Sequence, residues 1–240
     1  MTALLAVVTG VVGLLVGHLI NRAAGRFPWP ASKRSWLPGG DTPPADGVPT
    51  PEPHDRGGAL ALRPPLVEGG TAVLFVLAVL RFGLAWELPA FLFASAAGVL
   101  LAVIDFQHHL LPNRVVGPSI GIGALLLLIA ALPDGNWDAL LRAGLGAVVL
   151  FAGYLVLALI SPRSLGMGDV KLAGLLGLFL GWIAWSAVFA GALAGFVIQA
   201  LLALVLLAGR RVGLRGEVPF GPAMMLGAAL AIGANTALLG

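Results

Sequence analysis

The chain has no cysteine, which excludes disulfides and any thiolate metal site. Charge is scarce too. Asp, Glu, Lys and Arg make up 10% of the 240 residues, where a soluble domain carries about 25%. In their place stand 59% hydrophobic residues and a mean hydropathy of +0.99. The net charge is only +3. The basic residues gather in certain loops rather than along a helix face, which excludes a nucleic-acid footprint and reads as a topology signal. The expectation is an all-α fold, a polytopic membrane helical bundle.

The apolar runs can be read in order. Ala3 to Ile20 is the first, long enough to span at ~1.5 Å per residue. No Lys or Arg precedes it, and Arg22 and Arg26 follow it, which argues against a cleaved signal peptide and for an outside N-terminus. Phe27 to Pro65 holds ten of the seventeen prolines and lacks the apolar content for a core. It reads as a flexible cytoplasmic loop. Further runs cover about Val67–Ala85, Leu88–Ile104, Val115–Leu132 and Ala139–Ile160, with turn chemistry between them.

Leu172 to Gly209 is 38 residues without a charge, too long for one span and enough for two. A break is expected within Gly181–Ser186, where Trp182 and Trp185 suit an interface. Pro219–Leu239 is the last run. Eight spans with an outside N-terminus put 12 of the 14 basic residues on the cytoplasmic side, leaving Arg81 and Arg142 near the other face. Seven spans would move the cluster Arg210, Arg211 and Arg215 outside. The domain reading is therefore a first transmembrane helix (1–26), a proline-rich loop (27–65) and a seven-helix membrane domain (66–240).

Two acids stand out on this plan. Asp105 ends the third run and Asp169 begins the sixth, so both lie at the cytoplasmic face although 64 residues separate them. An ionisable group at that depth is costly unless paired, solvated or used. Gly166 and Gly168 flank Asp169 in Gly166-Met167-Gly168-Asp169 and leave room for another backbone beside the carboxylate. Two neighbouring carboxylates titrate as a pair, one ionised and one protonated. Such a pair can take a proton from water and donate one to a carbonyl oxygen, with neither metal nor nucleophilic Ser or Cys. The plainer alternative is that each acid only ends or caps its helix.

Five stretches in order now support a resemblance. Gly166-Met167-Gly168-Asp169 resembles the motif of the Gly-x-Gly-Asp aspartyl membrane proteases, specifically the type IV prepilin peptidases. Gly17-His18-Leu19-Ile20-Asn21 with Arg26-Phe27-Pro28, and Arg63-Pro64-Pro65-Leu66-Val67-Glu68, are similar to that family's first-helix exit and second-helix start. Ile104-Asp105 with Leu111-Pro112-Asn113, and Val218-Pro219-Phe220-Gly221-Pro222, complete the set.

The resemblance implies an inner-membrane endopeptidase that removes the basic leader of prepilins or pseudopilins at the cytoplasmic face. Asp105 and Asp169 would be its catalytic pair. Gly166, Gly168, Glu68, Lys171, Asn21 and Pro112 are the candidate supporting residues, with no metal and no cofactor for proteolysis. The partners so implied are the pilin-like substrate and the bilayer, with no nucleic acid. Many members of the family also methylate the new N-terminus with S-adenosylmethionine. The family's loop often binds zinc through Cys-x-x-Cys pairs, and this loop has none, which leaves methylation open.

Several residues keep two readings. Glu68 either meets the substrate's amine or leader charge, or is an acid favoured by its helix N-terminus. Lys171 reads more readily as facing headgroups than Asp169. Asn21 and Arg26 read as interfacial anchors, with a substrate role as the alternative. His108 and His109 read as solvated loop residues. A proton-coupled transporter is the competing function, but it would place its acids near the midplane and show a repeat between halves.

Overall fold

In the computed structural model, the described residues are 2–26, 64–108, 113–161, 165–208 and 219–235. They form eight helices and, among the described residues, no strand. The helices are α1 (Thr2–Arg26), α2 (Pro64–Phe82), α3 (Leu88–His108), α4 (Asn113–Asp134), α5 (Trp137–Ile160), α6 (Met167–Ile183), α7 (Trp185–Ala208) and α8 (Gly221–Ala234). Among the described residues, each expected run holds a helix. In lipid the backbone has no water to bond, so an apolar run must satisfy its own N–H and C=O groups. The chain is a polytopic helical membrane protein. By length and composition α1, α3, α4, α5 and α7 suffice to cross a bilayer. The other three are shorter, at 19, 17 and 14 residues for α2, α6 and α8. Residues 27–63 of the proline-rich loop lie outside the described residues.

α6 is the axis of the bundle. From Val170 to Trp182 nearly every side chain is buried, against α4, α5, α7 and α8. α1 lies at the periphery and packs on α2 and α3. In lipid, helices approach through shape rather than hydrophobicity, so small residues mark the seams. Three seams carry glycines four apart. A Cβ on Gly13 or Gly17 of α1 would stand 2.7 Å from the Cα of Ala72 or of Glu68 on α2. One on Gly146 of α5 would meet the carbonyl oxygen of Gly177 on α6 at 2.6 Å, and Gly181 meets the Arg142 carbonyl as closely. Gly191 and Gly195 of α7 face α8, where a Cβ on Gly227 would collide with Gly195. Gly177, Gly191 and Gly195 each stand at a close helix approach.

The break between α6 and α7 falls within the expected stretch, for a different reason. Ala184 is extended (φ −171°, ψ 162°), and Arg142 from α5 takes over the carbonyls that α6 leaves unpaired. Its Nε donates to Gly181 O at 2.7 Å, and Nη2 donates to Trp182 O at 2.7 Å and Ile183 O at 3.2 Å. A cation at a helix C-terminus also complements the helix dipole. Trp182 is only 6% exposed, inside the core, so it does not serve as the interfacial residue expected of it. Trp86, Trp137 and Trp185, at the turn after α2 and the starts of α5 and α7, are exposed and fit a belt at one end of the bundle.

Arg142 is thus a structural cap. Arg142→Ala is expected to cost about 2–4 kcal/mol, since charged hydrogen bonds contribute about 1.5–3 kcal/mol and buried carbonyls are left unpaired. Arg142→Lys should restore only part of this, because an ammonium lacks the planar fork. Thermal unfolding of purified protein in detergent checks both, and equal stability of all three proteins would remove the cap from the account.

Candidate active site

The end of the bundle that matters is where α1 and α3 finish and α2, α4, α6 and α8 begin. Ile20 and Ala24 of α1, Val67 of α2 and Val103 of α3 pack into one cluster there. Val67 and Val103 place Glu68 and Asp105 at the same end. Asp105 sits in the last turn of α3 and is 5% exposed. Its Oδ2 accepts a hydrogen bond of 3.0 Å from the Gly221 N–H, one of the donors that α8 leaves unpaired at its start. A Cβ on Gly221 would stand 2.7 Å from that Oδ2 and 3.5 Å from Leu172 on α6. Position 221 therefore admits hydrogen only, and three helices meet at it.

Asp169 stands in the first turn of α6 and is half-buried. Its Oδ2 accepts from the backbone N–H of Gly166 at 3.3 Å, which turns the carboxylate back over the loop that precedes the helix. Asp105 and Asp169 lie within electrostatic reach of each other. The two acids are thereby brought to one place, one at the end of α3 and one at the start of α6. Gly166 is exposed, and a Cβ there would have Asp169 Oδ2 as its nearest neighbour at 3.7 Å. Gly168 N, at 3.9 Å, is the other close atom, so a Cβ at position 166 would make only ordinary contacts with the described residues.

A second layer lies behind the acids. Tyr154 of α5, the one tyrosine of the sequence, is 3% exposed and within electrostatic reach of Asp169. Its ring stacks on Phe196 of α7 at 5.3 Å and packs against Phe220 at 6.1 Å. Phe220 immediately precedes Gly221. The aromatic trio thus fixes the start of α8, and with it the donor to Asp105. The sequence reading placed neither Tyr154 nor Gly221 among the site residues. The signals available were a lone phenol inside an apolar run and the glycine of Val218-Pro219-Phe220-Gly221-Pro222.

The remaining candidates divide. Glu68, at the start of α2, is held by His18 of α1, whose Nδ1 lies 3.0 Å from Oε1. Asn21 lies one turn beyond His18 at the same end of the bundle. Gly168 and Lys171 flank Asp169 on α6, both half-buried. Pro112 and His109 lie outside the described residues. Among the described residues no group of three or more His, Asp or Glu is placed to hold a metal ion.

The fold and the site define a class: a polytopic helical membrane protein with paired acids at one end of its bundle. Residues 91–209, which include both acids, match the type IV leader peptidase family. Three relatives are each called "Prepilin leader peptidase/N-methyltransferase". The protein from Bacillus subtilis is 35% identical over 168 residues, 70% of this chain and 64% of its own length. That from Stutzerimonas stutzeri is 29% identical over 168 residues, 68% of this chain and 56% of its own. That from Pseudomonas aeruginosa is 29% identical over 178 residues, 72% of this chain and 59% of its own. The chain thus spans less than two thirds of the length of these relatives. No solved structure matches it. Nothing in the family match supports the transporter alternative.

Proposed function

We propose that this protein is a membrane aspartic endopeptidase that cleaves the leader of prepilin-like or pseudopilin-like substrates. The observation that carries the reading is the meeting of Asp105 and Asp169 at one end of the bundle, with the Gly221 N–H aimed at the first of them. Two like charges in a partly desolvated place share a proton. In the ground state one carboxylate is ionised and the other protonated. The ionised group takes a proton from a water held between them, and that water adds to the scissile carbonyl carbon. The protonated group donates its proton to the carbonyl oxygen, giving a neutral diol. Collapse of the diol returns one hydroxyl proton to a carboxylate and delivers the other group's proton to the departing nitrogen, so the pair ends as it began.

The supporting residues fit roles on this plan. Gly166 and Gly168 leave the approach to Asp169 open for an extended peptide. Glu68, with its His18 partner, offers a carboxylate near the same rim for a basic leader, and Lys171 and Asn21 belong to that rim. Pro112 is carried by the resemblance alone. The localisation that goes with this is the inner membrane, multi-pass, N-terminus outside and the acids at the cytoplasmic face. The domain plan remains a first helix (1–26), a loop (27–65) and a catalytic membrane domain (66–240).

The relatives' names include N-methyltransferase, so S-adenosylmethionine is the cofactor to test. It would supply a methyl group to the new N-terminal amine. Mass spectrometry of a co-expressed substrate with a basic leader, a glycine and an apolar stretch tests both activities at once. The expected product has lost its leader. An added methyl mass reports the second reaction, and an intact substrate would contradict the first.

A further inference from the structure

Beside the acids, a groove of about 410 Å³ opens between α2, α3 and α8. Its walls are stripes at helical spacing: Leu66, Gly70 and Leu74 on α2, and Pro222, Leu226 and Ala229 on α8. α3 forms the floor, and α2 and α8 pack on α3 rather than on each other. α3 contributes the small residues Ala94, Gly98 and Ala102, and Leu176, Phe179 and Leu180 of α6 line the groove as well. The floor's hydroxyl, on Ser95, is already spent on Phe91 O at 2.8 Å, so the floor asks for no polar ligand.

One end of the groove adjoins the site. Ala102 stands one turn before Asp105 on the same face of α3, and Pro222 follows the glycine that donates to Asp105. At the other end the groove runs on past Leu74, Phe91 and Ile232 to Leu80 and Arg81. The Arg81 guanidinium lies 5.0 Å from the Phe82 ring centroid, and its Nε is buried without a hydrogen-bond partner. A cation there ends the apolar wall. From Leu66 to Leu80 the wall follows α2 for about 21 Å at ~1.5 Å per residue, which matches about 14 residues of an apolar helix.

We propose that this groove seats the apolar helix of the substrate, the segment that follows the scissile bond. The proposal rests on the leader-peptidase reading and adds to it the surface that holds the uncleaved part. A helix lying along α3 between α2 and α8 delivers the residues before its first turn to Asp105 and Asp169. The leader then leaves the bundle past Glu68. Such a helix gains by displacing lipid from a seam of small residues, where shape decides association.

The chain in membrane vesicles provides the test, with the photoreactive p-benzoylphenylalanine placed at Gly98 or at Gly70. A Cβ at Gly70 meets nothing within 4 Å, and one at Gly98 meets only Met225 Sδ at 3.6 Å, so both sites accept a side chain. Val205 on α7, exposed to the surroundings, is the control position. The probe is a synthetic peptide with a lysine-rich leader, one glycine and a leucine–alanine helix of about 14 residues. Peptide adducts at positions 70 and 98 should exceed those at 205 by about 10-fold, and unlabelled peptide should compete them away. Gly70→Leu, which fills the groove, should weaken peptide binding by about 10-fold relative to a leader-only peptide. Equal labelling at all three positions, or adducts at 70 and 98 with lipid or a second copy of the chain in place of peptide, would overturn the proposal. No readout uses cleavage. A protein that docks the helix yet never cleaves would sink the peptidase reading and leave the groove standing.

Discussion

Asp105→Asn and Asp169→Asn are each expected to lower leader cleavage by at least ~100-fold, the lower end of what positioned acid–base groups contribute. Asn keeps the size of the side chain and accepts the Gly221 or Gly166 N–H through its amide oxygen, so the bundle should insert and fold as before. What it cannot do is exchange a proton with the neighbouring carboxylate. The wild-type rate should therefore be bell-shaped in pH, with both limbs belonging to the pair rather than to either acid. It falls at low pH when both groups are protonated and at high pH when both are ionised. Product masses from a co-expressed substrate measure the first effect, and initial rates across pH measure the second. Retained cleavage in either variant would remove that acid from the mechanism.

Gly221→Ala should be nearly as damaging although it removes no functional group. The new methyl would lie 2.7 Å from Asp105 Oδ2, far inside ordinary contact, with Leu172 on its other side. Either α8 moves away, losing its N–H bond to Asp105, or the carboxylate turns out of the site. Overpacking of this kind costs about 1–3 kcal/mol, and a lost hydrogen bond to a charged group adds about 1.5–3 kcal/mol. The expected result is a fall in kcat of about 10- to 100-fold, since displacing a reacting group by an ångström costs on that order. Gly166→Ala is the contrast. Its Cβ would meet Asp169 Oδ2 at 3.7 Å, an ordinary contact, so a loss there would report on the site rather than on the fold. Equal rates for Gly221→Ala and wild type would mean that the Gly221 contact does not hold Asp105.

The helices were readable in the sequence because lipid leaves the backbone no alternative. Even the break in the long charge-free stretch fell where expected, at Ala184 within 181–186. Its cause was not readable, since Arg142 caps α6 from 39 to 41 residues away and Trp182 points into the core. The two acids stood out because each marks one limit of an apolar run. Their surroundings did not. The Gly221 donor is 116 residues from Asp105, and Tyr154 lies inside a run whose faces look alike. A soluble helix announces its buried face by polarity. A helix that is apolar all round announces only its seams, through glycines such as Gly177 and Gly191. The groove between α2, α3 and α8 was invisible for the same reason.

The central claim is that Asp105 and Asp169 occupy one site. With no native cysteine to interfere, the double variant Asp105→Cys/Asp169→Cys offers a direct measurement in membranes. A thiol-specific linker of about 6 Å, the range over which neighbouring charges act on each other, should bridge the two thiols in high yield and lock α3 to α6. Absence of the bridge, while each cysteine alone is labelled by a small thiol reagent, would contradict the account.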